Sequence, residues 1–293
     1  GGPMKKLKTD VARLKREVNA GESTMRYKVR QSGDHQCNAS QCAYTDVVCW
    51  SLDEVNDALP YMKYYDATTN AYIQQDPRNT TTNNKQQRLP VQSMYAKLLI
   101  RNSGQVPAKV TVYRWEVVDE TENGPTNVFN ADIADDAQEV NIPGTGDVTV
   151  SPLVHMTDSS TLRKIWRLKS TKTKWLQNGR SMQTVASCGP KIYDVDYFLN
   201  DTTNYTKKLA STVWTIRVEG TLGHEDAAAP TKEGLLKASI DYMVDRITTI
   251  KYQCGGPGQR YSVINDTSTF DQTDTTAKTG VNPRTDNYAF NEQ

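Results

Sequence analysis

The 293-residue chain has no run of about 18 apolar residues, so no helix that could cross a bilayer is expected. Its opening residues, GGPMKKLKTD, lack the apolar stretch of a secretory signal. Cysteine is sparse. Cys37, Cys42, Cys49, Cys188 and Cys254 form an odd, loosely spaced set, which fits a reduced, intracellular origin better than a disulfide framework. Histidine is scarcer still: His35, His155 and His224 are the only three, and none is spaced to share a catalytic metal with its sequence neighbours. His35, Cys37 and Cys42 match no standard ligand spacing and read as packed thiols beside an ordinary histidine. HExxH, GxSxG and CxxC are absent. The GGPG at Gly255–Gly258 has no following Lys-Ser/Thr and reads as a turn, not a phosphate loop. With these signatures missing, a structural or binding role is expected rather than catalysis. Only a triad assembled from distant positions would escape that reading.

Charge is present, but unevenly placed. The totals nearly cancel, 35 basic against 34 acidic residues. Yet Lys5, Lys6, Lys8, Arg13, Lys15 and Arg16 face only Asp10 within the first 16 residues. Leu7, Val11, Leu14 and Val18 are spaced four, three and four apart, which predicts one apolar face of a short amphipathic helix stopped at Gly21. A basic end on a near-neutral body suits nonspecific contact with an anionic polymer. The same charges would also serve as an ordinary solvated helix surface.

Beyond this arm the apolar residues come in short alternating runs, the pattern of strands. Met25–Arg30, Ala43–Trp50, Ser93–Asn102, Lys109–Asp119, Asp147–Val150, Met182–Ala186, Val213–Leu222 and Ala238–Tyr252 are strand candidates, and Leu162–Leu168 is ambiguous between strand and helix. In Val213–Leu222, Trp214, Ile216, Val218 and Leu222 fall on one face. Thr215, Arg217 and Glu219 fall on the other, predicting a half-buried strand. Ser51 and Glu54 form a capping box opening a short helix that Pro60 ends. Asp66–Arg88 is polar throughout and reads as a long exposed loop, and a helical or irregular segment is expected over Val128–Val140. No βαβ rhythm and no repeat occurs, so an all-β antiparallel sandwich of jelly-roll type is expected. It would form one domain over 23–264, with a basic arm over 1–22 and a polar extended tail over 265–293.

Two further clusters are candidate sites. Asp132, Asp135, Asp136 and Glu139 would pair up on helical faces, and such hard oxygens could hold a structural calcium ion; a solvated acidic face is the plainer reading. Arg163, Lys164, Trp166, Arg167, Lys169, Lys172, Lys174 and Trp175 interleave cations with aromatics, as single-stranded nucleic-acid binders do. They would equally suit a wet subunit interface. Sequons begin at Asn38, Asn79, Asn200, Asn204 and Asn265, and matter only in a secreted protein.

Four stretches resemble the capsid proteins of small eukaryotic viruses with circular single-stranded DNA genomes, the bacilladnavirus-like group and its relatives. They are KKLKTDVARLKR, RYKVRQSGDHQCNASQCAYTDVVCW, KIWRLKSTKTKWLQNGRSMQTV and WTIRVEGTLG. Small positive-strand RNA viruses have similar shells. The resemblance implies an eight-stranded viral jelly roll whose identical copies tile an icosahedral shell, with the basic arm facing a packaged genome, single-stranded DNA by analogy. It implies a virion location, assembly inside the host cell with the nucleus as a candidate site, a host receptor of unknown identity, and no cofactor. The arm departs from the family in carrying few arginines. The readings from other classes are a nucleic-acid-binding or glycan-binding β-sandwich that forms no shell.

Overall fold

The computed structural model describes residues 7–12, 21–78, 88–135, 148–150, 152–195, 211–224, 233–268 and 284–286. In chain order its strands are β1 (Glu22–Cys37), β2 (Cys42–Trp50), β3 (Lys63–Asp66), β4 (Ala71–Gln74), β5 (Arg88–Asn102), β6 (Ala108–Val117), β7 (Val148–Val150), β8 (Trp166–Leu176), β9 (Ser181–Cys188), β10 (Lys191–Asp194), β11 (Thr212–Gly220), β12 (Leu222–His224), β13 (Glu233–Leu235), β14 (Ala238–Gln253), β15 (Arg260–Asp266) and β16 (Arg284–Asp286). Helices are short: α1 (residues 7–12), α2 (Leu52–Ala58), α3 (Pro125–Asp135) and α4 (Ser160–Ile165). None of the described helices is long and apolar enough to cross a membrane.

Strand pairing defines the architecture. The first long strand pairs with the last, β1 with β14, in antiparallel register from Glu22–Gln253 to Cys37–Ala238. Moving inward along the chain from both ends, β2 pairs with β11, β5 with β9, and β6 with β8, all antiparallel. A ribbon of eight strands paired in this nested way has been wound up, so that β14 also meets β5 and β11 also meets β6. The result is a jelly roll of two packed sheets. The larger runs β10-β5-β14-β1-β15-β16, with β9 also on β5; the smaller runs β7-β2-β11-β6-β8.

Alternation in the sequence decides which side chains enter the sandwich. Met25, Tyr27 and Val29 of β1, Met94, Ala96, Leu98 and Ile100 of β5, Val110 and Val112 of β6, and Trp214, Ile216 and Val218 of β11 meet in one buried cluster between the sheets. Each such large apolar side chain contributes about 1.5–3 kcal/mol when removed from water. The register shift on β14 between Thr249 and Ile250, opposite β5, is the bulge that lets Leu89 and Val91 point inward as well as Met94.

Several expectations need correction. Strand β11 is not half-buried: all nine of its residues are buried, because a second apolar cluster roofs its other face. That cluster includes Tyr44, Trp115, Phe129, Met156, Leu162 and Trp166. Leu222 does not join the inner face; it starts the β12–β13 hairpin and is 79% exposed. Ser51 is the N-cap of α2 but its side chain caps nothing. Glu54 turns away from it into a buried ion pair with Arg246 at 2.7 Å, because an ionised partner binds a carboxylate in a dry site more strongly than a neutral amide does. The polar run after Asp66 is no plain loop: β3 and β4 make a hairpin there, turning through Asn70 at φ 53. The ambiguous Leu162–Leu168 is both things in turn, since α4 ends at Ile165 and β8 begins at Trp166.

Candidate nucleic-acid interface

Strand β8 is the last strand of the smaller sheet, and residues 167–175 are exposed on both of its faces. The exposed stretch, eight steps of about 3.3 Å or roughly 26 Å, is a long basic rim. A strand edge dense in lysine is protected from pairing with another sheet and is free to meet an anion instead. The turn that follows passes through Gly179 at φ +71, a conformation that suits glycine, and leads into β9 of the opposite sheet. The two halves of this hairpin therefore belong to different sheets, and side chains bridge them. Lys172 Nζ donates to the Gln183 carbonyl at 2.6 Å and Lys174 Nζ to the Ser181 carbonyl at 3.3 Å.

On the other face of β8, Thr173 shares a hydroxyl hydrogen bond of 3.0 Å with Thr111. Trp175 stands 52% exposed beside it. Lys109 Nζ lies 5.9 Å from the Trp175 ring centroid and also donates to Glu219 at 2.9 Å. Toward the start of the strand, Arg167 and Lys169 both reach Glu116 Oε2, at 3.1 and 3.2 Å. Burial tends to raise the Glu116 carboxyl, but these two cations more than reverse it and hold it below the ordinary range.

The eight sequence-predicted residues of this patch are thus not equivalent. Arg167, Lys169, Lys172, Lys174 and Trp175 line one continuous exposed rim. Arg163 and Lys164 sit on the last turn of α4, where Arg163 donates to the Ser159 and Asp158 carbonyls at 3.3 and 3.4 Å. Trp166 is no stacking platform: it is fully buried in the roof cluster, and its Nε1 donates to the Asn123 carbonyl at 3.3 Å. Sequence reasoning missed Arg114 on β6 and Lys191 on β10, which the fold brings beside Lys169. No local spacing could have revealed them, because strand register and the packing of the two sheets join the three.

Of the front arm, Lys8 is exposed on α1; Lys5, Lys6, Arg13, Lys15 and Arg16 lie outside the described residues. Asp132 accepts from the hydroxyls of Ser159 and Thr161, which hold its carboxyl below the ordinary range and tie α3 to α4. The Asp135 side chain, Asp136 and Glu139 lie outside the described residues. Among the described residues no group of three or more His, Cys, Asp or Glu is placed to hold a metal ion.

The nested strand pairing, with one long basic rim, defines a jelly-roll protein of the two-sheet type. No protein-family model and no curated protein matches the chain. Among solved structures it is similar to the BFDV capsid protein in its 60-mer form, at 10% identity over 81% of this chain and 97% of that one, with a TM-score of 0.27. It is also similar to a marine algae virus of the order Picornavirales, at 10% identity over 78% and 79% of the two chains and a TM-score of 0.30. The capsid of Penaeus monodon metallodensovirus at pH 8.2 is similar at 8% identity over 80% and 75%, with a TM-score of 0.30. The fold assignment rests on the pairing of this chain's own strands.

Proposed function

We propose that this chain is the structural subunit of a viral capsid, in which identical copies close into an icosahedral shell around a single-stranded nucleic acid. The observation that carries the reading is the wound eight-strand pairing whose larger sheet, among the described residues, turns an unroofed outward face to its surroundings. On that face Tyr95, Ile247, Lys28 and Ile264 lie in one row across β5, β14, β1 and β15. Val185, Lys97, Asp245 and Arg30 lie in the next. Tyr95 and Val185 are 37% and 48% exposed, and clustered apolar exposure of this kind marks an association surface. Residues 23–264 form the shell body and 1–22 the arm that meets the genome; 265–293 are a tail, part of which, β16, returns to the edge of the larger sheet beside β15. Phosphates are neutralised without sequence readout by the front arm and by Arg167, Lys169, Lys172 and Lys174. The four family-like stretches favour a circular single-stranded DNA genome of the bacilladnavirus-like group or its relatives, and hence a virion location. Action is by assembly: many modest contacts closed by symmetry, with no covalent step.

Mass photometry and negative-stain microscopy of the purified chain at physiological salt test this. Uniform closed particles tens of nanometres across are expected, with nuclease-protected nucleic acid that DNase rather than RNase degrades after extraction. Monomers or dimers alone across pH, salt and calcium would overturn the shell and leave a binding module.

A further inference from the structure

Where β8 parts from β9 and β10, the two sheets leave a cavity of about 240 Å³. Arg114, Glu116 and Lys169 line it from the smaller sheet, Cys188 and Lys191 from the larger, and Trp50 forms an apolar wall. Arg114 is the unusual member. Its register partner on β11 is Trp214, whose side chain lies in the core between the sheets, so Arg114 follows Val110 and Val112 on the inward face of β6. Among the described residues its guanidinium has no ion pair and no side-chain hydrogen bond. The nearby carboxylate does not answer it, because Glu116 Oε2 is already shared by Arg167 and Lys169.

Three cations and one neutralised carboxylate thus converge on a space large enough for a small anion and its water. A half-enclosed guanidinium without a counter-charge is costly unless an anion or water satisfies it. A fork of parallel N–H donors flanked by two ammonium groups is the arrangement that takes tetrahedral oxyanions. We propose that this inter-sheet cavity is a phosphate-binding site, with Arg114 as its central donor and Lys169 and Lys191 as flanking charges. The phosphate is either a backbone group of a single-stranded nucleic acid or a free anion. In the first form the site extends the capsid reading and rests on it; as a phosphate site it stands alone.

Cys188 supplies the readout. It lines the cavity, and it is the one cysteine of five that is not buried. Its alkylation by N-ethylmaleimide, quantified by peptide mass spectrometry on the full chain, reports occupancy. Inorganic phosphate is expected to slow Cys188 alkylation relative to chloride at equal ionic strength. Arg114→Met should weaken that protection about tenfold, the effect of losing one charge-assisted hydrogen bond. Lys191→Met is a second variant should Arg114→Met fail to fold. Equal alkylation rates in phosphate and chloride, or unchanged protection in a folded variant, would overturn the site. Protection by oligo-dT at concentrations where inorganic phosphate has no effect assigns the site to a nucleic-acid backbone; protection by inorganic phosphate alone assigns it to a free anion. Mass photometry on the same samples keeps the two claims separate. Particles without protection sink the site only, and protection without particles sinks the shell only.

Discussion

Among the described residues, the outward face of the smaller sheet is roofed and the outward face of the larger sheet is bare. Under the roof, α3 and α4 lay Phe129 and Leu162 over Tyr44, Trp115 and Val213. Trp115 Nε1, Asn130 Oδ1 and Arg217 Nε are buried there without a hydrogen-bond partner among the described residues, but the charged groups caught under the roof have internal partners. Asp46 accepts from the Thr126 amide at 2.8 Å and from the Thr126 and Thr215 hydroxyls at 2.6 Å each. Arg217, 3% exposed, pairs with Glu219, donates to the Pro152 carbonyl at 2.9 Å and lies 5.9 Å from the Tyr44 ring. On the bare face the ion pairs are of another kind. Arg30–Asp245 and Arg101–Asp241 cross between strands in contact with water, and such pairs are worth about 0–1 kcal/mol each. A roofed face commits its polar groups to folding. A bare one keeps cheap, exchangeable pairs among apolar side chains that a partner can cover.

Removing the roof's largest anchor should separate the two faces most sharply. Trp166→Ala deletes a fully buried indole from the roof cluster, at a cost of about 3–5 kcal/mol. Hydrogen exchange should then show lost protection in α3 and α4 while the β1–β14 amides stay slow. Equal loss in both places would mean that roof and sandwich are one cooperative unit, and the distinction between the faces would fail.

A smaller effect tests whether the roof's charges depend on one another. Glu219→Gln removes the counter-charge of Arg217, and breaking a buried pair in this way costs about 3 kcal/mol. Replacing both, as Arg217→Met with Glu219→Leu, should restore most of the loss in a denaturant melt, because no uncompensated charge remains. A double variant as unstable as the single one would show that the pair holds the roof through its other bonds, to Pro152 and Lys109.

Glu54 of α2 carries the same rule to the sandwich end. Burial outweighs the nearby Arg246 and pushes its carboxyl up from 4.5 to about 7. Such a group takes up a proton on folding. It therefore favours the fold most below its unfolded value, and that contribution is lost as pH rises from about 4.5 to 7. The change is on the order of 3 kcal/mol. Thermal melts should show stability declining across that window, and Glu54→Gln should remove the slope. An unchanged slope in the variant would assign it to Asp53 or Asp57, whose carboxyls burial also raises.

How much of this was legible in the sequence follows the range of the signals. Alternation is local, so the inward residues of β5 and β6 could be read directly, including the division of Val110 and Val112 from Tyr113, Trp115 and Val117. Burial of β11 on both faces could not. Thr215, Arg217 and Glu219 look solvent-facing until α3 and α4, far off in the chain, close over them. Trp166 misled for the same reason: among lysines and arginines it reads as a stacking ring, yet it is the point where the chain leaves the roof and enters the rim. Glu54 fitted a capping box by spacing, while its true partner Arg246 lies far off on β14, the last long strand. The basic rim was visible as composition. That its lysines bridge two sheets, and that Arg114 and Lys191 meet Lys169, depends on strand register and on how the two sheets pack.

The smallest change in stability should carry the largest change in assembly. Val185→Lys and Tyr95→Lys place charges on exposed positions of the bare face, where substitutions alter stability by no more than about 0.5 kcal/mol. The isolated subunit should melt as before. In the shell, however, each copy would bring an unpaired ammonium against apolar neighbours, a desolvation cost repeated at every symmetry-related contact. Closed particles should therefore disappear from mass photometry while the monomer remains folded. Particles that form normally with both lysines in place would mean that the bare face looks onto solvent inside or outside the shell. Subunit contacts would then have to be sought along the sheet edges and the loops at the two ends of the roll.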